Sequence, residues 1–174
     1  VQADGTIWFT DPPYGIKPEQ REQPFDAVFR LGPGAAEPVA VITDLSYPNG
    51  LAFSPDGRFL AVVGSGGYLS LWEPNTETLE HVPTQHQQAF AVAFSPDGST
   101  LATGGYDKTV KLWDVGTRQE LLTLAGTGSE LLAAKWSADG DVILAGAPWQ
   151  AWRAPSWEEI ATAEAKEKTE IKQP

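Results

Sequence analysis

The sequence contains no cysteine and no methionine, and its 174 residues include only two histidines. The lack of cysteine excludes disulfides, thiolate metal sites and cysteine nucleophiles, and it leaves the redox compartment open. Long apolar runs are also missing, since none approaches the roughly 20 residues that a membrane-spanning helix needs. We therefore expect a soluble protein with no membrane partner, and the sequence does not indicate its compartment.

Basic residues are scarce as well. Lysine and arginine number 12 against 23 aspartates and glutamates, which gives a formal net charge of -11 and an isoelectric point near 4.5. Proteins that bind nucleic acids rely on lysine and arginine to neutralise phosphates. The charge balance therefore argues against a nucleic-acid partner.

A turn of closely similar sequence recurs along the chain at a nearly fixed spacing. The aspartates of its four copies lie 52, 41 and 42 residues apart, and a tryptophan in a second register recurs after 41 and 39 residues. These markers are Asp4, Asp56, Asp97 and Asp139 in the turn, and Trp72, Trp113 and Trp152 beyond it. Two independent markers that share a period of about 40 residues indicate a propeller or a solenoid.

Each repeat has the pattern of strands rather than helices. Short apolar runs flank the complete copies of the turn, for example residues 90–94 and 101–103, and a third run ends at the recurring tryptophan. The Asp-Gly pair in each turn predicts a two-residue β-hairpin with positive φ angles. A fourth, weaker run follows at residues 79–82 and 121–124. Four short antiparallel strands in about 40 residues are typical of one propeller blade.

The repeats predict an all-β propeller of about four blades, each with four antiparallel strands, over residues 1–155. The first blade is expected to be incomplete, with strands at residues 6–10, 27–31 and 39–43 and little of its inner strand. Because the sequence opens inside this unit and lacks an initiating methionine, we expect the true N-terminus to lie upstream. An unclosed stack of blades leaves open edges, which predicts self-association.

The last segment, residues 156–174, is rich in alanine, glutamate and lysine and is predicted to form a short, charged helix. Ser156 and Glu159 have the spacing of a capping box at its start. Trp149 and Trp157 lie outside the repeated strand position, so they are candidates for an exposed contact surface.

Residues 1–67 resemble the gluconolactonase family, also called the regucalcin or senescence-marker-protein family. The resemblance is carried by DGTIWFTDPPYGI at 4–16, VFRLGPG at 28–34 and YPNGLAFSPDG at 47–57. It implies a six-bladed propeller that hydrolyses sugar lactones with a divalent metal in its central channel. It also implies that Asn49 is a metal ligand and that Asp11 and Tyr14 lie near the substrate. Plainer interpretations are that Asn49 suits the positive φ of a turn and that Asp11 ends a strand.

Residues 68–155 are similar to WD-repeat propellers of the bacterial type, most clearly in AVAFSPDGSTLATGGYDKTVKLWDV at 91–115. This resemblance implies a protein-binding scaffold, usually without catalysis. It also assigns His86, Thr103, Asp107 and Trp113 to a buried structural hydrogen-bond network. His86 matches approximately, because it lacks the preceding glycine and stands one residue closer to the strand than is usual.

Together the two resemblances predict a fragment or chimera of two propeller families. The preferred function is a non-catalytic scaffold or interaction module, without a cofactor, that binds a protein partner or itself. The alternative is a metal-dependent sugar-lactone hydrolase using calcium or another divalent cation, with its site completed by missing blades or a second chain. A serine-hydrolase triad is not expected, because the sequence has no GxSxG motif and its only histidines are His81 and His86.

Overall fold

The computed structural model describes residues 2, 4–13, 17–20, 25–127, 130–146, 148–155, 159 and 162. Within them the chain forms fourteen strands and one short 3-10 helix, Pro18–Gln20. The strands are β1 (Ile7–Asp11), β2 (Ala27–Leu31), β3 (Val39–Ile42), β4 (Pro48–Phe53), β5 (Leu60–Gly64), β6 (Tyr68–Glu73), β7 (Thr78–Pro83), β8 (Ala89–Phe94), β9 (Thr100–Gly105), β10 (Thr109–Asp114), β11 (Glu120–Ala125), β12 (Ala134–Trp136), β13 (Val142–Ala145) and β14 (Gln150–Arg153).

The strands form four antiparallel sheets, each built from strands consecutive in sequence. The first sheet is β1-β2-β3, the second β4-β5-β6-β7, the third β8-β9-β10-β11 and the fourth β12-β13-β14. The predicted all-β fold of the propeller type is confirmed. The fourth sheet, like the first, has three strands in the described part of the chain, so the two complete blades are the central ones.

The recurring turn is a longer hairpin loop than the sequence pattern predicts. Between β4 and β5, the N–H of Gly57 donates to the carbonyl of Ser54 at 2.9 Å, and Gly57 alone of the turn residues has positive φ, at 71°. The Asp56 carboxylate accepts from the Ser54 hydroxyl at 2.6 Å and from the Arg58 N–H at 3.0 Å. The prediction of a two-residue hairpin is therefore wrong, because the aspartate closes the loop with its side chain instead of adopting positive φ.

Side chains alternate between the two faces of each sheet and join neighbouring sheets through apolar clusters. In β5, Leu60 and Val62 pack toward the first sheet, whereas Ala61 and Val63 pack toward the third. A further cluster around Leu131 joins the third and fourth sheets. The described residues form three such clusters and none between the first and fourth sheets. Sheets that follow one another in sequence therefore pack face to face, the first on the second, the second on the third and the third on the fourth.

One register position explains the recurring tryptophan. Trp72 pairs with Leu60, Trp113 with Leu101 and Trp152 with Ile143, so the indole occupies the same place in three sheets. In the first sheet, Arg30 pairs with Trp8 at the corresponding position, and its guanidinium lies 5.9 Å from the Trp8 ring centroid. The regular spacing of the tryptophans in the sequence therefore corresponds to one packing position that recurs from sheet to sheet.

The predicted C-terminal helix falls almost wholly outside the described residues, as do Ser156 and Trp157. Glu159 is described, and its carboxylate accepts a hydrogen bond from the Arg153 guanidinium at 2.6 Å. Among the residues that the structure describes, no helix is long and apolar enough to cross a membrane.

Candidate functional site

A buried polar network lies between the second and third sheets. The Trp113 indole N–H donates to the Thr103 hydroxyl at 2.9 Å, and that hydroxyl lies 3.0 Å from Nε2 of His86. Nδ1 of His86 lies 2.8 Å from the Asp107 carboxylate. The structure therefore brings together all four residues that the WD-repeat resemblance assigns to a network.

The proton positions in the network follow from what each group can accept. A carboxylate only accepts, so Nδ1 of His86 carries the proton toward Asp107. With a neutral imidazole, Nε2 then accepts from the Thr103 hydroxyl, and that hydroxyl accepts from Trp113. Every donor in this arrangement is used once. The ring is held as a structural link, and it is buried away from any substrate.

The negative charge of Asp107, at one end of this network, is stabilised by neighbouring groups. Burial by itself raises the pKa of Asp107, but the hydrogen bond from His86, with further hydrogen bonds from Thr109, brings it below the usual aspartate value. Thr109 donates from its backbone N–H at 3.1 Å and from its hydroxyl at 2.9 Å. Asp107 is therefore an ionised anchor for His86 and not a proton donor.

Local backbone geometry delivers His86 despite its unusual spacing. The preceding residue, Gln85, has a φ of 59°, in the left-handed region that glycine adopts most easily. Gln85 thus replaces the missing glycine with the same conformation. On the other side, a Cβ at Gly105 would lie 2.7 Å from Nδ1 of His86, so only glycine leaves room for the ring there.

The residues implied by the gluconolactonase resemblance do not form a comparable cluster in the described chain. Asn49 lies half-buried in β4, and its backbone carbonyl accepts a hydrogen bond from the Thr10 hydroxyl at 2.9 Å. The expectation that Asn49 adopts positive φ is wrong, since the residue with positive φ before this strand is Tyr47, at 46°. Asp11 is exposed at the end of β1, and Tyr14 lies outside the described residues.

The donor set around Asn49 does not fit a divalent cation. A neutral amide supplies one oxygen, whereas such ions take several oxygen ligands, with carboxylates among them. No three histidine, aspartate or glutamate side chains are grouped to hold a metal ion in the described part of the chain.

A cavity between the first and second sheets brings together residues that the sequence did not single out. It has a volume of about 410 Å³ and is lined by Asp44, Ser70 and His81 among others. The Ser70 hydroxyl lies 2.9 Å from Nδ1 of His81, and Nε2 of His81 lies 3.7 Å from the Asp44 carboxylate. The register Ser70↔His81 is the signal that could have been found, because the strand spacing predicts that cross-strand pair.

These three residues do not amount to a hydrolase triad. Asp44 is beyond hydrogen-bond distance of the imidazole and 93% of its side chain is exposed, so it does not fix the ring. Ser70 is only 4% exposed, which leaves its hydroxyl without access for a substrate carbonyl. The polar side chains in the lining of this cavity therefore do not form a hydrolase site.

The comparison with protein families follows the blade geometry. The family described as "WD domain, G-beta repeat" (WD40) matches residues 38–73 and 77–114. Two segments of the chain, together less than half of it, are thus similar to WD40 repeats. Each matched segment combines the outermost strand of one sheet with the three inner strands of the next, so each match spans two blades. The first match begins within the segment that resembles gluconolactonases, and the division at residue 67 stays a prediction.

Two curated relatives match shorter parts of the chain. A gluconolactonase of Zymomonas mobilis subsp. mobilis is 42% identical over 65 residues, which are 35% of this chain and 18% of that protein. The lactonohydrolase oryL of Aspergillus oryzae is 33% identical over 86 residues, 47% of this chain and 20% of that protein. The chain thus has segments similar to WD40 repeats and a region similar to lactonases, and it spans about a fifth of the length of these two relatives.

Proposed function

We propose that this chain is a non-catalytic propeller module that binds proteins, including a second copy of itself stacked on the outer face of its first or fourth sheet. The observation that carries the proposal is the set of three inter-sheet clusters without a fourth in the described residues. WD40 repeats generally mediate protein–protein interaction, which supports the scaffold function. The buried network supports the scaffold function too, because its side chains hydrogen-bond to one another inside the protein.

The outer face of the fourth sheet supports a second copy as the occupant. Leu144 alternates with the buried Ile143 and Ala145, so it points away from the third sheet, and it is 36% exposed. Lys135 and Arg153 lie on the same outer face by register. Arg153 is already paired with Glu159, so Lys135 is the basic residue that favours an acidic counterpart on this face.

The first sheet offers such a counterpart at the opposite end of this series of sheets. Ile7 and Asp11 alternate with Trp8, which packs toward the second sheet, so they lie on its outer face. Both residues are exposed. Stacking the two end faces would bury apolar side chains in the manner of the internal sheet interfaces and would place Asp11 near Lys135.

Sedimentation equilibrium tests this assembly. We expect the protein to exceed its monomer mass of 18.7 kDa at high concentration, and Leu144→Glu to return it to the monomer. Leu121→Glu is the control, because Leu121 is also exposed, at 57% against 36% for Leu144, but lies on the outermost strand of the third sheet. A strict monomer, or equal loss of mass in both variants, would contradict stacking through the end faces.

A second candidate function is a metal-dependent sugar-lactone hydrolase completed by further blades or a second chain. The similarity to the Zymomonas gluconolactonase supports it, and Asn49 is the ligand that this chain would contribute. Calorimetric titration with calcium, zinc and manganese separates the two candidates. Stoichiometric binding that is lost in Asn49→Ala would favour the hydrolase, and the absence of binding would favour the scaffold.

A further inference from the structure

The third sheet has its buried polar network on the face that packs against the preceding sheet. At the corresponding place between the first and second sheets, the second sheet has the cavity instead. Thr103 and Asp107 lie eight and twelve residues after Ser95, and the residues at the same distances after Ser54 are Val62 and Gly66. Val62 and Gly66 both line the cavity. The second sheet thus has an aliphatic side chain in place of the hydroxyl and no side chain in place of the carboxylate.

The histidine of the network is missing from this interface as well. His86 stands three residues before β8, and the residue three before β4 is Leu45, which also lines the cavity. The space that His86 and Asp107 fill between the second and third sheets is therefore left open between the first and second. The cavity follows from the difference between two blades.

The wall of the cavity combines an apolar floor with one negative charge at its mouth. Val62 and Pro48 are fully buried, and Leu45 is half-buried, so the floor is apolar. The Asp44 carboxylate is almost fully exposed and His81 lies beside it. No lysine or arginine is among the described residues that line the space.

Tyr68 adds an aromatic surface to the lining of the same cavity. Its side chain is about half exposed, and its ring meets the His81 ring edge-on with centroids 5.9 Å apart. An aromatic face attracts a cation placed within about 6 Å of its centroid. A carboxylate and an aromatic ring over an apolar floor suit a group with an alkyl stem and a positive end.

The net negative charge of the whole protein also favours a positively charged ligand. A net charge of -11 repels anions and raises the local concentration of cations near the surface. An anionic ligand would also meet the Asp44 carboxylate directly. The described surroundings therefore favour a cation.

We propose that the cavity between the first and second sheets binds an alkylammonium group, namely the lysine side chain of a protein partner. The ammonium lies between Asp44 and the Tyr68 ring, and the methylene stem lies over Leu45, Pro48 and Val62. That a protein carries the lysine rests on the proposed scaffold function, whereas the affinity of the cavity for the cation does not. This site is separate from the outer faces of the first and fourth sheets and from Asn49.

The test uses Nα-acetyl-lysine methylamide as the probe and its Nε-acetylated, neutral form as the comparison. Binding is followed by amide chemical shifts at Gly66, Tyr68 and His81 in two-dimensional NMR spectra. We expect saturable shifts with the charged probe at low salt and much weaker shifts with the neutral one. Asp44→Asn should weaken binding by up to about fivefold, as expected for an exposed ion pair of at most about 1 kcal/mol.

Asp141→Asn is the matched control, because it removes the same charge from an exposed site on the fourth sheet. Tyr68→Leu keeps the apolar surface and should weaken binding by removing the aromatic face. Asp44 is exposed, so its variant should fold as the parent does. Equal weakening in Asp44→Asn and Asp141→Asn would overturn the proposal in favour of general charge attraction.

Equal affinity for the neutral probe, or no saturable shift at the three cavity amides, would also overturn it. The outcome is distinguishable from that of the assembly test. The NMR experiment uses Leu144→Glu as the background if the parent assembles, and that substitution lies on the outer face of the fourth sheet. Failure of the cavity to bind would leave the mass measurement unaffected, and the reverse also holds.

Discussion

The interface between the second and third sheets and the interface between the first and second are built on the same blade plan but have different interiors. Both have a tryptophan paired with a leucine at the same register, at Trp113 and Trp72. In the former, a chain of hydrogen bonds runs from Trp113 to Asp107 and fills the space. In the latter, the corresponding positions hold Val62 and Gly66, and a cavity remains.

The difference shows that two sheets of this fold can pack together with or without a buried polar network. A network whose every donor is used makes one interface rigid, because any missing partner leaves a buried polar group unpaired. Where the polar residues are absent, the apolar cluster around Leu60 and Trp72 still joins the sheets. The blade therefore tolerates loss of the network and gains an accessible space, as long as its apolar contacts persist.

The largest expected effect comes from removing the hydroxyl at the centre of the network. Thr103→Val keeps the side-chain shape but leaves the indole N–H of Trp113 and Nε2 of His86 buried without a partner. We expect the free energy of unfolding to fall by about 2–4 kcal/mol, from two unsatisfied groups at about 1–2 kcal/mol each. Guanidinium unfolding followed by tryptophan fluorescence measures it.

Thr10→Val is the matched control for that substitution. Thr10 stands eight residues after Gln2, as Thr103 does after Ser95, but its hydroxyl makes a single bond, to the carbonyl of Asn49. Its loss should cost about 1 kcal/mol. Equal costs for the two substitutions would show that the network adds nothing beyond individual hydrogen bonds and would remove the contrast between the interfaces.

A smaller effect is expected at the charged end of the network. Asp107→Asn keeps an oxygen acceptor for His86 but removes the negative charge, which we expect to cost about 1 kcal/mol at pH 5. The pKa of Asp107 is lowered in the folded protein, so the stabilisation is present above the unfolded-state value of 3.8 and is lost as the pH falls through the folded value. The stability gap between parent and variant should therefore narrow between pH 5 and pH 3.

Unfolding of both proteins across that pH range provides the measurement. The other aspartates protonate in parent and variant alike, so they cancel in the difference. A gap that stays constant down to pH 3, or widens, would show that the Asp107 charge does not stabilise the fold.

The fold could be predicted from the sequence because its markers act locally. The turn aspartates bond within their own loops, and the tryptophans occupy a fixed register, so spacing alone gave the blades. The network could be predicted from the resemblance to WD-repeat propellers. His86 stands one residue closer to its strand than is usual, and it still joins the network because the preceding residue, Gln85, adopts a left-handed conformation without being glycine. The two-residue hairpin failed because side-chain hydrogen bonding competes with backbone conformation at aspartate.

The cavity could not be predicted in the same way, because it depends on what two neighbouring blades leave unfilled. Asp44 follows the last strand of the first sheet, whereas Ser70 and His81 belong to the second. Strand spacing within one repeat predicts the Ser70–His81 pair, but it does not connect that pair to Asp44. The position of Asn49 within a strand could not be predicted from the sequence either, because an asparagine before a glycine is more typical of a turn.

The smallest expected effect concerns the turns that contain Asp56 and Asp97. The pKa values of these two aspartates should respond alike to loss of the turn serine, although the sheet interfaces differ. Hydrogen bonds from the Ser95 hydroxyl, then from the N–H and hydroxyl of Ser99, lower the pKa of Asp97 to about 2. Ser95→Ala removes the largest of these causes, so the pKa of Asp97 should rise toward 3.8, and NMR titration of the carboxyl carbon measures it.

Ser54→Ala should raise the pKa of Asp56 in the same direction, because the Ser54 hydroxyl is the main cause of its lowered value. Every donor in either turn comes from within a few residues of the aspartate, so the network and the cavity should have no influence on these titrations. Thr103→Val should accordingly leave the titration of Asp97 unchanged. A shift of Asp97 in that variant would show that the network reaches the turn, and the contrast between the two interfaces would then extend to the loops that connect their strands.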